Sequence, residues 1–329
     1  MSKTFLLILI FITTDAYATR LLQSEERIDY YTSRAKCKSI KSEWNNERTL
    51  IFTIVKLIDM DTEEEISLQI LGGKVDDIEL VIADKPNFQI GNEFLLLLSN
   101  TGKNSYPILH QLELLNSPII QPLNITALPV SGTFVFARWN DLPVDLRVDP
   151  GTLGGGDGMS IIEEACSTWN SIENAPNICG SLVEGQSDVT GSNFSSIVKP
   201  DDGINDVVFD EDGSIINSFG VSSNTLGIGG FFQATQSGEI LDGFLVINGK
   251  LQSGDFLATA VHELGHTWGI GHTAVGMINN AFSSQGLDPL DISRLPTMFP
   301  LSNPIDDTLG RTLEPDDIAA FITNYNSDN

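Results

Sequence analysis

The first half of the chain alternates short apolar runs with turn-forming residues. Between residues 48 and 100 the runs TLIFTIVKLIDM, EISLQILGG, DIELVIAD and NEFLLLLSN are rich in β-branched and large apolar residues. Gly, Asp, Asn and Pro separate them. This pattern predicts strands. We therefore expect a small all-β domain over residues 19–128, with a linker between Asn116 and Gly132 that contains Pro118, Pro122 and Pro129.

The second half mixes strand and helix patterns. FVFARW, LPVDLRVDPG, GIGGFFQAT and EILDGFLVING are typical of strands. Apolar residues at helical spacing over residues 159–172 predict an amphipathic helix that packs on a sheet. A second helix is expected to begin near Ser253 or Asp255, with a buried stripe at Leu257, Ala260, Val261, Leu264 and Trp268. These elements define a second domain over residues 129–329.

The first eighteen residues have the pattern of a secretory signal peptide. Lys3 precedes an apolar run over residues 5–12, and Ala16 and Ala18 form an A-x-A site with cleavage expected after Ala18. The alternative is a membrane anchor, but a bilayer span needs roughly 20 apolar residues. We therefore expect a secreted, extracellular protein without a membrane span.

The charge balance excludes some partners. The chain has 18 Lys and Arg residues against 44 Asp and Glu residues, and its formal net charge is −26. Such a charge argues against nucleic acid or an anionic membrane as the partner. Carboxylates spaced along a Gly-containing loop make a structural Ca²⁺ site possible, and a merely solvated loop is the alternative. The candidate ligands are Asp201, Asp202, Asp206, Asp210 and Asp212.

Three cysteines are too few for a disulfide scaffold. Cys166 and Cys179 lie in the second half and could form one bridge in an oxidising compartment, but their spacing leaves this open. Cys37 stands alone in the first half. It is either an ordinary thiol or a cap on a metal in the second half.

The segment HELGHTWGIGH, residues 262–272, carries the candidate chemistry. Residues four apart lie on one face of a helix, so His262 and His266 can bind one metal ion. Gly269 can end the helix and return the chain, which brings His272 to the same ion. Three imidazoles and an open fourth position are typical of catalytic zinc, which lowers the pKa of a bound water. Glu263 is placed to take that water's proton.

The motif H-E-x-x-H-x-x-G-x-x-H is similar to that of the metzincin zinc peptidases. Downstream, LPTMFP resembles the family's methionine turn, in which Met298 would form an apolar floor beneath the metal. TLEPDDIAAFITNY resembles the closing helix of the matrixin branch, with Pro315 near its first turn. Thr273 and Pro300 also favour that branch. The cysteine-switch segment of matrixin propeptides is absent from the sequence.

This resemblance implies an α+β catalytic domain of metzincin type, in which a mixed twisted sheet carries an active-site helix and a C-terminal helix. It implies a secreted zinc endopeptidase that acts on protein or peptide substrates, with Glu263 as general base and His262, His266 and His272 as zinc ligands. The alternative is a catalytically silent zinc-binding adhesion or recognition protein. The β domain would restrain or target the enzyme, and the sequence leaves these two roles open.

Overall fold

The computed structural model describes residues 30–82, 88–99, 108–114, 127–130, 133–154, 156–200, 202–221, 223–251, 255–272, 297–298 and 310–325. Its strands, numbered along the chain, are β1 (Tyr30–Trp44), β2 (Ile51–Asp59), β3 (Glu65–Leu71), β4 (Gly73–Val75), β5 (Ile78–Ile82), β6 (Glu93–Ser99), β7 (Ile108–Leu114), β8 (Ala127–Val130), β9 (Thr133–Phe136), β10 (Val144–Val148), β11 (Cys179–Glu184), β12 (Asn205–Phe209), β13 (Gly227–Ala234) and β14 (Ile240–Ile247). Its helices are α1 (Gly158–Asn170), α2 (Phe194–Ile197), α3 (Ser214–Ser218), α4 (Phe256–Thr267) and α5 (Pro315–Tyr325). The predicted signal peptide lies outside the described residues.

The strands form an antiparallel sheet and a mixed sheet, with a separate hairpin of β8 and β9. The antiparallel sheet has the order β3-β2-β1-β6-β7 and belongs to the predicted all-β region. The mixed sheet has the order β11-β10-β12-β14-β13-β5-β4. In it β10, β11, β12 and β14 are parallel, whereas β13 runs antiparallel to β14. The α+β class expected from the sequence is confirmed at this level.

The two faces of the mixed sheet are buried in different cores. Successive residues of a strand point to opposite faces, and accordingly Val207 and Phe209 of β12 face one core while Val208 faces the other. The first core contains apolar residues of α1, α4 and α5. The second contains residues of α2 and α3. Both helices predicted from apolar spacing thus pack on the sheet.

Local caps fix where these two helices begin. Asp157 precedes α1 and its side chain accepts a hydrogen bond from the Met159 N–H at 3.1 Å. Asp255 precedes α4 and accepts from the Ala258 N–H at 2.9 Å. A carboxylate at this position satisfies an amide that has no partner within the helix. The predicted start of α4 near Asp255 is confirmed.

The N-terminal region contributes to the mixed sheet. Strand β5 pairs antiparallel with β13, and β4 pairs with β5 at the sheet's end. Leu50, Phe52 and Leu80 lie in the same buried core as residues of α2, α3 and β13. Packing and hydrogen bonding therefore cross the boundary that the sequence predicts near residue 128. No described helix is long and apolar enough to cross a membrane.

The structure shows which cysteines are paired. Cys166 of α1 and Cys179 at the start of β11 form a disulfide. Cys37 is a free thiol, buried in the core of the antiparallel sheet with Phe94 and Leu96. Burial raises the pKa of this thiol. That core contains no residue of α4, and Cys37 is not part of the cluster of candidate metal ligands among the described residues.

The disulfide should contribute measurably to stability. The bridge joins residues 13 apart, and replacing both Cys166 and Cys179 with Ala should lower the free energy of unfolding by about 3 kcal/mol, since a loop of this size loses that much closure entropy. Chemical denaturation of wild-type and double-variant proteins measures the difference. As a control, unreduced, denatured wild type should contain one reactive thiol, Cys37. Equal stability of the two proteins would contradict the prediction.

Candidate metal centre

Helix α4 and the turn after it bring the three predicted histidines together. His262 and His266 lie one helical turn apart on α4. Gly269 has a φ of 79°, and its N–H donates to the His266 carbonyl at 2.9 Å, which ends the helix. A side chain at Gly269 would also collide with the Ala137 carbonyl. The chain therefore turns back at a position that only glycine occupies without strain, and His272 returns toward α4.

The three imidazoles present their Nε2 atoms to one point. The Nε2 atom of His262 lies 3.0 Å from those of His266 and His272, and the last two are 3.1 Å apart. His266 is buried, and the other two are half-buried. Among the described residues, this is the one group of three or more His, Cys, Asp or Glu side chains that brings its ligand atoms this close together.

Backbone carbonyls fix the protonation of two of these rings. Nδ1 of His262 lies 2.6 Å from the Thr297 carbonyl oxygen, and Nδ1 of His266 lies 2.8 Å from the Ile270 carbonyl oxygen. A carbonyl only accepts hydrogen bonds, so each Nδ1 must carry the proton. In the neutral ring, Nε2 is then an acceptor. Two acceptors 3.0 Å apart repel each other unless a cation lies between them, so the donor set fits a metal ion.

Glu263 is held against strand β13. It is buried, and its Oε2 accepts a hydrogen bond of 2.5 Å from the Gly229 N–H. A Cβ atom at Gly227 would lie 2.8 Å from Cγ of Glu263, and one at Gly229 would collide with the Glu263 carbonyl. Glycines at these two positions allow α4 to lie directly on β13. Sequence reasoning missed this contact, although the G-x-G spacing in GIGG was its signal.

Met298 packs beneath the helix that carries the histidines. Its side chain is fully buried. A Cβ atom at Gly265 of α4 would collide with the Met298 Sδ atom, and it would lie 2.8 Å from Cζ2 of Trp169. Glycine at position 265 therefore lets the methionine touch the helix backbone. Thr297, the residue before Met298, supplies the carbonyl that orients His262, and the role of Met298 as an apolar floor beneath a metal stays a prediction.

Asp317 of α5 holds this turn in place. Its Oδ2 accepts from the Thr297 and Glu314 N–H groups, both at 2.9 Å, and its Oδ1 accepts from the Met298 N–H at 3.1 Å. The carboxyl is fully buried. Burial raises its pKa to about 6, against the opposing effect of the three N–H donors. Sequence reasoning singled out the apolar face of this helix but missed Asp317.

The end of α5 also supports the end of α4. The Tyr325 hydroxyl donates to the Trp268 carbonyl at 2.9 Å and accepts from the Trp139 N–H at 3.3 Å. The Asn324 side chain donates to the Ala137 carbonyl at 2.9 Å. Burial raises the pKa of Tyr325, so the hydroxyl remains a donor at neutral pH. These bonds fix the backbone on both sides of the Gly269 turn.

The described acidic residues that the sequence offers as calcium ligands form hydrogen bonds with other groups of the chain. Arg147 donates to both carboxylate oxygens of Asp206, at 2.6 and 2.9 Å. Asp210 accepts from the Ile215 and Ile216 N–H groups. The carboxylates of Asp202 and Asp212 accept from backbone N–H groups two residues on. Asp201 lies outside the described residues, and calcium at these loops stays a prediction.

Comparison with known proteins does not assign the chain to a family. No protein-family model matches the sequence, and no curated protein matches it. The interpretation of the site therefore rests on its own residues and geometry.

Replacing Asp317 with Asn should loosen the turn beneath the histidines. An amide has one accepting oxygen, so its NH₂ group must face at least one of the N–H donors that the carboxylate now satisfies. We expect a loss of about 1–3 kcal/mol of stability, because a buried donor is left without a partner. Zinc affinity should fall with it, since Thr297 orients His262.

The matched control is Asp316→Asn, which makes the same charge change at an exposed position on the same helix. Thermal melting and zinc titration against a competing chelator give the two measurements. Equal zinc affinity in the two variants would show that Asp317 does not position His262.

Proposed function

We propose that this protein is a secreted, zinc-dependent endopeptidase of the metzincin type. The single observation that carries the proposal is the trio of histidine Nε2 atoms within 3.1 Å of one another, two of them fixed as acceptors. Nothing in the comparisons supports or opposes this function, so the argument is chemical throughout.

The donor set favours zinc over a harder cation. Three imidazole nitrogens and no carboxylate suit zinc, whereas calcium and magnesium prefer oxygen ligands. The three candidate ligands found among the described residues also match a catalytic site, because a structural zinc site is closed by four. The carbonyls of Thr297 and Ile270 serve as the outer partners that metal-binding histidines require.

The proposed reaction is hydrolysis of a peptide bond. When bound, a zinc ion in this setting polarises a carbonyl oxygen and favours deprotonation of water. Glu263, adjacent in sequence to His262, accepts the proton of the attacking water and then donates it to the leaving amine. The Gly229 N–H donates to Oε2 of Glu263, which fixes the direction of this side chain beside the histidines.

Several features support the metzincin assignment within zinc peptidases. The helix with two histidines, the glycine turn and the third histidine follow the family's motif. The buried Met298 beneath Gly265 stands where the resemblance expects an apolar floor. The disulfide between Cys166 and Cys179 is consistent with export to an oxidising compartment, as the signal-like N-terminus predicts.

A catalytically silent zinc-binding protein is the alternative. It would need the same three ligands but no carboxylate beside them, whereas Glu263 is buried there despite the free-energy cost of removing a carboxylate from water. Hydrolysis of casein by the purified protein, with and without a zinc chelator, distinguishes the two functions. A protein that binds zinc but leaves casein intact would favour the alternative.

Replacing Glu263 with Gln should abolish hydrolysis and leave zinc bound. Gln still accepts from the Gly229 N–H but cannot take a proton, so kcat/KM should fall by roughly 10² to 10⁴-fold. Zinc content by elemental analysis and the rate on a quenched fluorescent peptide measure the two effects. Glu173→Gln, an identical change at an exposed site, is the control. Full activity in Glu263→Gln would overturn the mechanism.

Replacing His272 with Ala should remove the metal. Two imidazoles on α4 then remain, and they cannot reach the three-ligand coordination of a catalytic zinc site. We expect zinc occupancy after dialysis to fall well below that of wild type. His110→Ala, which changes the chain's fourth histidine, serves as the control. Normal occupancy in His272→Ala would mean that another group supplies the third ligand.

A further inference from the structure

Strand β13 is paired on both sides for much of its length. Strand β14 pairs along one side of it, from Gly227 to Gln233. Strand β5, from the N-terminal half of the chain, pairs along the other side, from Gly230 to Ala234. The edge that β13 would offer to an extended peptide is therefore occupied by a segment of the same chain.

The hydrogen-bonding pattern identifies the residues of β5 whose main-chain groups face β13. The Thr235 N–H donates to the Asp77 carbonyl at 3.2 Å, just beyond the end of the ladder. In antiparallel strands, hydrogen-bonded pairs alternate along the chain. Glu79 and Val81, two and four residues after Asp77, are therefore the residues of β5 whose N–H and C=O groups face β13.

The occupied stretch ends beside the candidate metal centre. The ladder begins at Gly230, which pairs with Ile82. The preceding residue, Gly229, donates its N–H to Glu263. A peptide that extended β13 at its outer side would run past Gly229 and Glu263 and then along the positions that β5 fills. Such a peptide and β5 would therefore compete for the same main-chain groups of β13.

Side chains reinforce the pairing. A Cβ atom at Gly230 would lie 2.8 Å from Cδ1 of Ile82 and 2.9 Å from the Val81 carbonyl oxygen, so glycine allows close approach. Leu80 is buried in the core shared with Phe232. The Gln233 side chain donates to the Glu79 carboxylate at 3.2 Å. Side chains of β5 thus add contacts to the main-chain pairing.

We propose that β5, residues 78–82, forms a displaceable intramolecular strand that keeps the enzyme latent by occupying the substrate-binding edge of β13. This regulation rests on the proposed function for the identity of the substrate. A tethered strand competes at an effective concentration in the millimolar range. A peptide in solution must displace it before it reaches Glu263.

Val81→Pro tests the proposal in the full-length, zinc-loaded chain. Proline removes the N–H that faces β13. Ile82→Ser is a second variant, which keeps every N–H but removes the side chain that fills the space beside Gly230. The control is Lys74→Pro, since Lys74 lies on β4, which β5 separates from β13. Circular dichroism and zinc content verify that each variant is folded.

Three measurements are made on the wild type and on each variant. Hydrogen exchange reports whether residues 230–234 lose protection. Fluorescence anisotropy reports binding of a labelled peptide with the sequence of residues 73–82, GKVDDIELVI. Hydrolysis of a quenched peptide reports activity. In Val81→Pro and Ile82→Ser we expect faster exchange, peptide binding tighter by roughly tenfold or more, and a comparable rise in hydrolysis, with no change in Lys74→Pro.

The outcomes separate this inference from the proposed function. Tighter peptide binding without hydrolysis in any variant would support the occupied edge and count against the peptidase. Equal peptide binding by wild type and both variants would overturn the occupied edge, even if all three hydrolyse the substrate. Unchanged exchange in both variants would also overturn it, because a strand that resists both changes is a fixed part of the sheet.

Discussion

The facing of two imidazole acceptors constrains the segments around the candidate metal centre. Nε2 of His262 and Nε2 of His266 lie 3.0 Å apart with their protons committed to the carbonyls of Thr297 and Ile270. A fold without a cation would relax by turning a ring away, so the structure must hold both rings against that tendency. The Gly269 turn presents the Ile270 carbonyl, and Asp317 presents the Thr297 carbonyl. Helix α5 therefore supports the candidate metal centre, although none of its described residues belongs to the group of candidate ligands.

Close backbone approach is the second requirement, and glycine meets it on three sides of α4. Gly229 lets β13 touch the helix at Glu263, Gly265 lets Met298 touch it from beneath, and Gly269 lets the chain pass the Ala137 carbonyl. Each position lacks room for a methyl group. The histidines and Glu263 are therefore fixed by packing of the backbone as much as by their own hydrogen bonds, which suits a site that must keep its geometry without large side chains near the ligand atoms.

More of the candidate site than of the fold could be predicted from the sequence, because the residues that define the site lie close together in the chain. Residues 262–272 determine their own geometry through helical periodicity and one glycine turn, so the three histidines that the structure brings together could be singled out from the sequence. Asp317 and Gly229 were missed because their roles depend on contacts with residues 20 and 34 positions away. The pattern DIELVIAD indicated a strand but not its sheet, since alternation of apolar residues gives no information about the partner. Pairing of β5 with β13 is such a long-range choice.

The strength of the β5 contact decides whether it can act as a reversible restraint. Burial of Leu80 contributes about 2 kcal/mol, and each ladder hydrogen bond adds a net of about 1 kcal/mol. An extended peptide on the same edge would form ladder hydrogen bonds of the same kind, so the advantage of β5 comes from the burial of Leu80 and from its tether. Leu80 also belongs to a core that includes Phe232 and residues of α2 and α3. Cutting the chain near residue 128 would therefore not release β5 by itself. Opening of the edge requires that β5 separate from a core to which both halves of the chain contribute.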